Sequence, residues 1–191
     1  TMISINVFHK DAVSAALSVI QAGGVIIYPT DTLYGFGVDA TNDGAIDRLN
    51  DIKGRTGPIS VLALDQETAL GWGNIANDES VLIASKLKSQ TTVIFPVNMG
   101  LVSQKIMGTD HTLGVRIPDH DFCKLLAGSS SAIITSTSVN RHDSLALNDP
   151  DRIIAEFGDE IDLFVNGGSL EGNKGSSIYK LNYGKFETIR D

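Results

Sequence analysis

Cysteine is nearly absent: Cys123 stands alone among 191 residues. A single thiol excludes an intramolecular disulfide and any cysteine-rich zinc site. Its setting, Asp-Phe-Cys-Lys-Leu-Leu, suits a small buried hydrophobe better than a reactive thiol. No apolar run approaches the ~20 residues that a membrane span needs. The first residues carry no charged, apolar, small-residue leader. A cytoplasmic protein with no membrane partner is expected. Positive charge is also in deficit, with 15 Lys and Arg against 23 Asp and Glu, a net charge of −8. Proteins that wrap nucleic acid are usually basic, so the balance argues against an extended phosphate-backbone footprint, though not against a local basic pocket.

Several familiar reagents are missing. The four histidines, at 9, 111, 120 and 142, have no metal-ligand spacing. Neither HExxH nor GxSxG occurs. Residues 167–177, Gly-Gly-Ser-Leu-Glu-Gly-Asn-Lys-Gly-Ser-Ser, approach a phosphate loop, but Asn173 separates Gly172 from Lys174 and the next residues look like a strand, not a helix. Zinc and nucleophilic catalysis are unsupported.

What is present is a chain 42% apolar and 20% charged, enough for one globular domain with a real core. Ile3, Ile5 and Val7 alternate as in a half-buried strand. Asp11 is placed to cap a helix to Ala22, which Gly23-Gly24 stop. Val25–Tyr28 is a buried strand. A second helix opens at Asn42 or Asp43, with Ala45, Ile46, Leu49 and Ile52 on one face, and ends in Lys53-Gly54-Arg55. Further strands are expected at Ile59–Leu64, Thr91–Val97, Thr112–Ile117, Ala132–Thr137 and Leu163–Asn166. Further helices are expected from Asp78 to Lys88, Leu101 to Met107, Asp119 to Ala127 and Asp149 to Phe157, the last with Pro150 in its first turn. Ser177–Leu181 and Lys185–Ile189 form a terminal hairpin. No repeat, linker or low-complexity tract interrupts this one α/β unit.

Candidate chemistry concentrates in four places. Tyr28 to Gly37, Tyr-Pro-Thr-Asp-Thr-Leu-Tyr-Gly-Phe-Gly, sets hydroxyls, a carboxylate and two glycines just beyond a buried strand, where open α/β sheets bind ligands. Alone it is equally a glycine-rich turn. Lys53 and Arg55 either complement a helix dipole or grip a phosphate together. Thr112, Gly114 and Arg116 share a strand face by period two, and an arginine among apolar neighbours needs an anion, from the protein or from a ligand. Ser136, Ser138 and Asn140 alternate at a strand end, either satisfying backbone groups or lining a pocket mouth.

Together these pieces resemble the YrdC-like family of threonylcarbamoyl-AMP synthases, over nearly the whole chain from about Ala12. The motifs are Pro29-Thr30-Asp31-Thr32-Leu33-Tyr34-Gly35, Lys53-Gly54-Arg55, Gly114-Val115-Arg116-Ile117-Pro118, Thr137-Ser138-Val139-Asn140, Ser176-Ser177-Ile178 and Ile189-Arg190. The resemblance implies a single domain over residues 1–191, a twisted, open, mixed α/β sheet with flanking helices around a concave, positively lined cavity. It implies a nucleotidyltransferase that joins L-threonine, bicarbonate and ATP into threonylcarbamoyl-AMP and pyrophosphate. The product serves t6A modification of tRNA by a separate tRNA threonylcarbamoyl transferase. By the same resemblance Thr32, Arg116, Ser136 and Ser176 hold threonine. Lys53, Arg55, Thr112, Ser138, Asn140 and Arg190 hold ATP, and Mg²⁺ accompanies the nucleotide through phosphates and water. Lys53, Arg55 and Arg116 position the reactants, and no residue acts as a nucleophile. Asp31 either steers the threonine amine or helps hold the metal.

The chain departs from that pattern at Thr56 and the short segment to Pro58, at Ser89-Gln90-Thr91-Thr92, at Arg141-His142 and at Ser177. These departures leave open a degenerate relative that binds nucleotide or threonine without turnover. An RNA-binding module, with direct tRNA contact, is a further alternative that the net charge disfavours. A hydrogenase-maturation carbamoyltransferase would need cysteine pairs that the chain lacks.

Overall fold

A computed structural model describes all 191 residues. β1 (Ile3–Asn6) leads into α1 (Ala12–Gln21), which buries Ala12, Ala16 and Ile20. Asp11 stands at the N-cap, but its side chain caps nothing. β2 (Ile26–Tyr28) is wholly buried.

The glycine stretch, expected as a turn, is strand β3 (Gly35–Gly37), antiparallel to β2. The reason is steric. A Cβ on Gly37 would lie 2.8 Å from the Tyr28 ring, and one on Gly35 would lie 3.7 Å from it. Glycine lets β3 close over the tyrosine. Close approach, rather than a left-handed backbone, is what Gly37 requires, whereas a Cβ on Gly35 would make only ordinary contacts.

α2 (Asp43–Lys53) begins with Asn42 Oδ1 accepting from Ala45 N at 3.0 Å, and ends at left-handed Gly54. β4 is only Val61–Leu62, with irregular chain on either side. α3 (Gln66–Gly71), capped by Asp65, is not foreseen in the sequence. α4 (Asn77–Lys86) starts one residue before Asp78, with the Glu79 carboxylate accepting from Ala76 N at 3.1 Å. β5 (Thr91–Pro96) follows, then a 3-10 turn at Gln104–Ile106 in place of a longer helix, then β6 (Thr112–Arg116). α5 (Asp121–Ser129) runs through Gly128. Cys123 on it is buried, as its neighbours implied; burial pushes its thiol up and Sγ donates to Pro29 O.

β7 is only Thr137–Ser138. The residues before it cross between sheets instead of joining one. Leu62 N donates to Ile134 O, Thr135 N to Val38 O and Ser136 N to Ser60 O. α6 (Pro150–Phe157) is capped by Asp149, and β8 (Leu163–Asn166), β9 (Ser177–Asn182) and β10 (Lys185–Arg190) complete the chain.

There are two mixed five-stranded sheets, ordered β1-β8-β2-β3-β7 and β10-β9-β5-β6-β4. The larger core joins them: Ile27, Phe36 and Phe164 of the first pack in one cluster with Val93, Phe95, Leu113 and Val115 of the second, under α2 and α6. A smaller core lies beneath α1 and α5, around Ile20, Ile26, Leu163 and Leu126. The crossing segment 134–136 fixes how the two sheets meet, and the cavity opens beside it.

Candidate active site

The cavity has a volume of about 460 Å³. Its floor is one face of the second sheet, and strand periodicity dictates which residues form it. β6 presents Thr112, Gly114 and Arg116. β5 presents Thr92 and Ile94. Ser176, Ile178 and Lys180 continue the alternation along β9. The floor can be flat only because Gly114 has no side chain: a Cβ there would meet Ser60 Oγ at 2.4 Å and Thr92 Cγ2 at 3.3 Å. Arg55 and Pro58 to Ser60 form one wall. Thr32 to Gly35 and Ser136 to Ser138, from the first sheet, form another, and Arg190 closes the rim.

Four cations, Arg55, Arg116, Lys180 and Arg190, line this cavity, and no carboxylate does. In a chain of net charge −8 that concentration of one sign marks an anion site.

Arg116 is 8% exposed. Its Nη2 donates to Asp31 Oδ1 at 2.8 Å, to Thr32 Oγ1 at 2.9 Å and to Thr30 Oγ1 at 3.5 Å. Its Nε is buried without a partner. The two roles left open for an arginine in an apolar strand are therefore not exclusive. One edge of the guanidinium is anchored by protein, and a donor remains for a ligand. Beside it Ser136 Oγ is likewise buried and unpartnered. Both atoms belong to residues that line the cavity, where a ligand group can pair with them.

Thr32 is held by Thr30, whose Oγ1 lies 3.2 Å from its own and also accepts from Thr32 N. Ser176 Oγ lies 2.8 Å from Thr92 Oγ1, and its carbonyl accepts from Arg190 Nε at 2.9 Å and Nη2 at 2.7 Å. Burial and the Arg116 charge both push the Arg190 pKa down, which places the two guanidiniums in one region of positive potential. Thr112 Oγ1 donates to Thr109 O at 2.8 Å. Ser138 Oγ donates to Asn140 Oδ1 at 2.8 Å. Arg55 makes no side-chain hydrogen bond or ion pair and projects free into the cavity.

Three expectations need correction. Lys53 does not share the cavity with Arg55. It is 2% exposed, and Gly54 turns the chain so that the two cations diverge. Its ammonium donates to Ser138 O at 2.5 Å, Asn140 Oδ1 at 3.0 Å and Asn140 O at 3.2 Å. Burial, with Arg55 nearby, lowers its pKa to about 8. Asn140 does not line the cavity either: its amide nitrogen donates to Arg141 O and Ser144 O while its oxygen serves Lys53 and Ser138. The two form an internal strut that positions Ser138. Asp31, thirdly, is held by protein partners and does not stand free in the cavity. Oδ1 takes Arg116, and Oδ2 accepts from Gln90 N at 2.8 Å and Asp119 N at 3.1 Å.

Several departures from the family pattern are supports. Gln90 N reaches Asp31, Thr92 reaches Ser176, and Pro58 walls the cavity. Arg141 bonds Glu156, Glu160 and Ile52 O and stacks on Phe157 at 4.5 Å, pinning the loop after Asn140 to α2 and α6. Ser60, Thr92, Thr109 and Lys180 line the cavity without having been singled out. For Lys180 the signal was available, since counting by two from Ser176 reaches it.

The model of the family of Sua5, YciO and YrdC, described as "Telomere recombination", matches residues 18–191. The threonylcarbamoyl-AMP synthase of Pseudomonas fluorescens (strain Pf0-1) is 31% identical over 175 residues, 88% of this chain and 91% of that one. Among solved structures, Sua5 of P. abyssi complexed with L-threonine superposes on all of this chain with a TM-score of 0.87 at 22% identity. The chain spans 57% of that protein. E. coli YciO superposes with a TM-score of 0.84 at 20% identity, covering 100% of this chain and 93% of its own. Those two likenesses establish the fold.

Proposed function

This chain belongs to the Sua5, YciO and YrdC family, and on that premise we propose that it is an L-threonylcarbamoyladenylate synthase. The observation that carries the reading is the cavity itself: four cations, no carboxylate and a row of hydroxyls, with no histidine or acid to activate any of them as a nucleophile. Such a site suits a reaction whose nucleophile belongs to the substrate and whose difficulty is to hold two anions together.

The chemistry fits. Carbon dioxide from bicarbonate adds to the threonine amine and gives a carbamate. A carbamate oxygen attacks the α-phosphorus of ATP, a new O–P bond forms, and the bond to the β-phosphate oxygen breaks. Pyrophosphate leaves with the electron pair. Arg116 Nε and Ser136 Oγ, two of the three buried side-chain atoms without a partner, receive the threonine carboxylate, with Thr32 and Ser176 beside them. Arg55, Arg190, Thr112 and Ser138 take the nucleotide. Mg²⁺ bound with the nucleotide would offset part of the phosphate charge. No three His, Cys, Asp or Glu side chains come together to hold a metal, so the ion would come with the nucleotide, held chiefly by phosphates and water. The product passes to a separate tRNA-modifying transferase. No helix is long and apolar enough to cross a membrane.

The test is pyrophosphate release from ATP with each reactant withheld in turn. Release should need threonine and bicarbonate together. Equal release without threonine would refute the reading. Nucleotide binding with no release under any condition would favour the degenerate alternative.

A further inference from the structure

Of the four cavity cations, two already have protein partners. Arg116 is paired with Asp31 at 2.8 Å, and Arg190 donates twice to Ser176 O. Arg55 and Lys180 have no hydrogen-bond or ion-pair partner, although both line the cavity. The nearest candidate for Lys180 is Glu187, its cross-strand neighbour on β10. That carboxylate is exposed, lies outside the cavity lining and accepts instead from Asn182 Nδ2 at 2.8 Å. Lys180 is half-buried and faces a cavity without carboxylates, a setting that favours an anion from outside the protein.

Its position says which anion. Lys180 stands in the row Lys180–Ile94–Gly114 across the sheet, and Arg116 stands in the next row, Ile178–Thr92–Arg116, two residues or ~7 Å along the strands. Arg55 comes from the loop whose Pro58 and Ser60 rest against Gly108 and Gly114, on the β6 side. Lys180 comes from β9, with β5 between, about 10 Å across the floor. Two unpaired cations flanking one floor match a chain of several negative charges, not a single carboxylate.

We propose that Lys180, with Arg55, binds the β- and γ-phosphates of the nucleotide and the pyrophosphate that leaves. The assignment rests on the adenylation reading for the identity of that polyphosphate, and deepens it. Arg116 keeps the amino acid, and the Lys180 end of the cavity keeps the phosphate tail.

The experiment is calorimetry of tripolyphosphate and of L-threonine with the whole chain and with Lys180→Gln, Lys180→Arg and Lys185→Gln, the last an exposed lysine on β10. Lys180→Gln should weaken tripolyphosphate by about tenfold or more, Lys180→Arg should largely retain it, and Lys185→Gln and threonine binding should not change. KM for ATP should rise in Lys180→Gln by a similar factor. Unchanged tripolyphosphate affinity in that variant overturns the assignment. The two ideas fail separately. If Lys180→Gln forms threonylcarbamoyl-AMP with unchanged KM for ATP, Lys180 is not a phosphate ligand and the function stands. If the wild type binds tripolyphosphate through Lys180 and never releases pyrophosphate from ATP, Lys180 stands and the proposed function falls.

Discussion

Replacing Asp31 with asparagine removes one negative charge and keeps the size of the side chain, so it isolates what the carboxylate does. Asp31 accepts three hydrogen bonds, one from Arg116 Nη2 through Oδ1 and two from Gln90 N and Asp119 N through Oδ2. An amide has one oxygen. If that oxygen faces Arg116, the NH₂ meets two N–H donors. If it faces Gln90 and Asp119, the NH₂ meets the guanidinium. Either way one side is left donor against donor. The carboxylate is 6% exposed and the Arg116 side chain 10%, so water cannot repair the loss. Breaking a buried ion pair from one side costs about 3–5 kcal/mol. For a chain of this length each kcal/mol lowers Tm by roughly 2–4 °C, so Asp31→Asn should melt about 6–20 °C below wild type at neutral pH. Arg116 also loses the contact that fixes its orientation. Threonine affinity by calorimetry should therefore fall, by about tenfold, although Asp31 does not line the cavity. A variant that melts like wild type and binds threonine unchanged would refute the anchoring role and return Asp31 to direct substrate contact.

Other consequences can be checked together. Arg116→Ala should cost about 2–5 kcal/mol of threonine binding while leaving tripolyphosphate binding in place; calorimetry on the folded variant decides. Lys53→Met strands the three oxygens that the ammonium serves and should lower stability by about 3 kcal/mol at pH 7 by denaturant titration. Because the folded-state pKa of Lys53, about 8, lies below its ordinary 10.5, the unfolded chain holds the extra proton between those values. Wild-type stability should thus gain up to about 3 kcal/mol from this group as pH rises from about 8 to about 10.5, and Lys53→Met should show no such gain. Gly114→Ala puts a methyl 2.4 Å from Ser60 Oγ and should cost about 1–3 kcal/mol. Adding Ser60→Gly should recover most of it, visible as a coupling in a double-mutant cycle of melting temperatures.

Much of the cavity was legible because strand alternation is local. Thr112, Gly114 and Arg116 share a face whatever surrounds them, and the same count of two joins Ser136 to Ser138. What could not be read depends on distant partners. Lys53 follows the same helix-end logic as Arg55, yet it turns inward because Ser138 and Asn140, 85 and 87 residues away, offer it oxygens. Asn140 falls out of the site for the same reason. Asp31 sits in the signature that looks most like a binding loop, but its three partners come from residues 59 to 88 positions on. The second sheet was hidden because the crossing segment 134–136 looks like any apolar strand until its hydrogen bonds are seen to divide between Val38, on one side, and Ser60 and Leu62, on the other. Gly35–Gly37 became a strand through the bulk of Tyr28, a pairing no propensity reveals. Lys180 is legible by the same alternation, two residues beyond Ile178 on the face that begins at Ser176.

The central claim is that one cavity brings carbamate and ATP together. The most direct measurement is to incubate the chain with ATP, Mg²⁺, L-threonine and isotopically labelled bicarbonate and to identify the labelled nucleotide by mass spectrometry. The account predicts that label, threonine and AMP appear in a single product, in step with pyrophosphate, and that neither forms when threonine or bicarbonate is omitted. Pyrophosphate or AMP formed without label in any nucleotide product would contradict it.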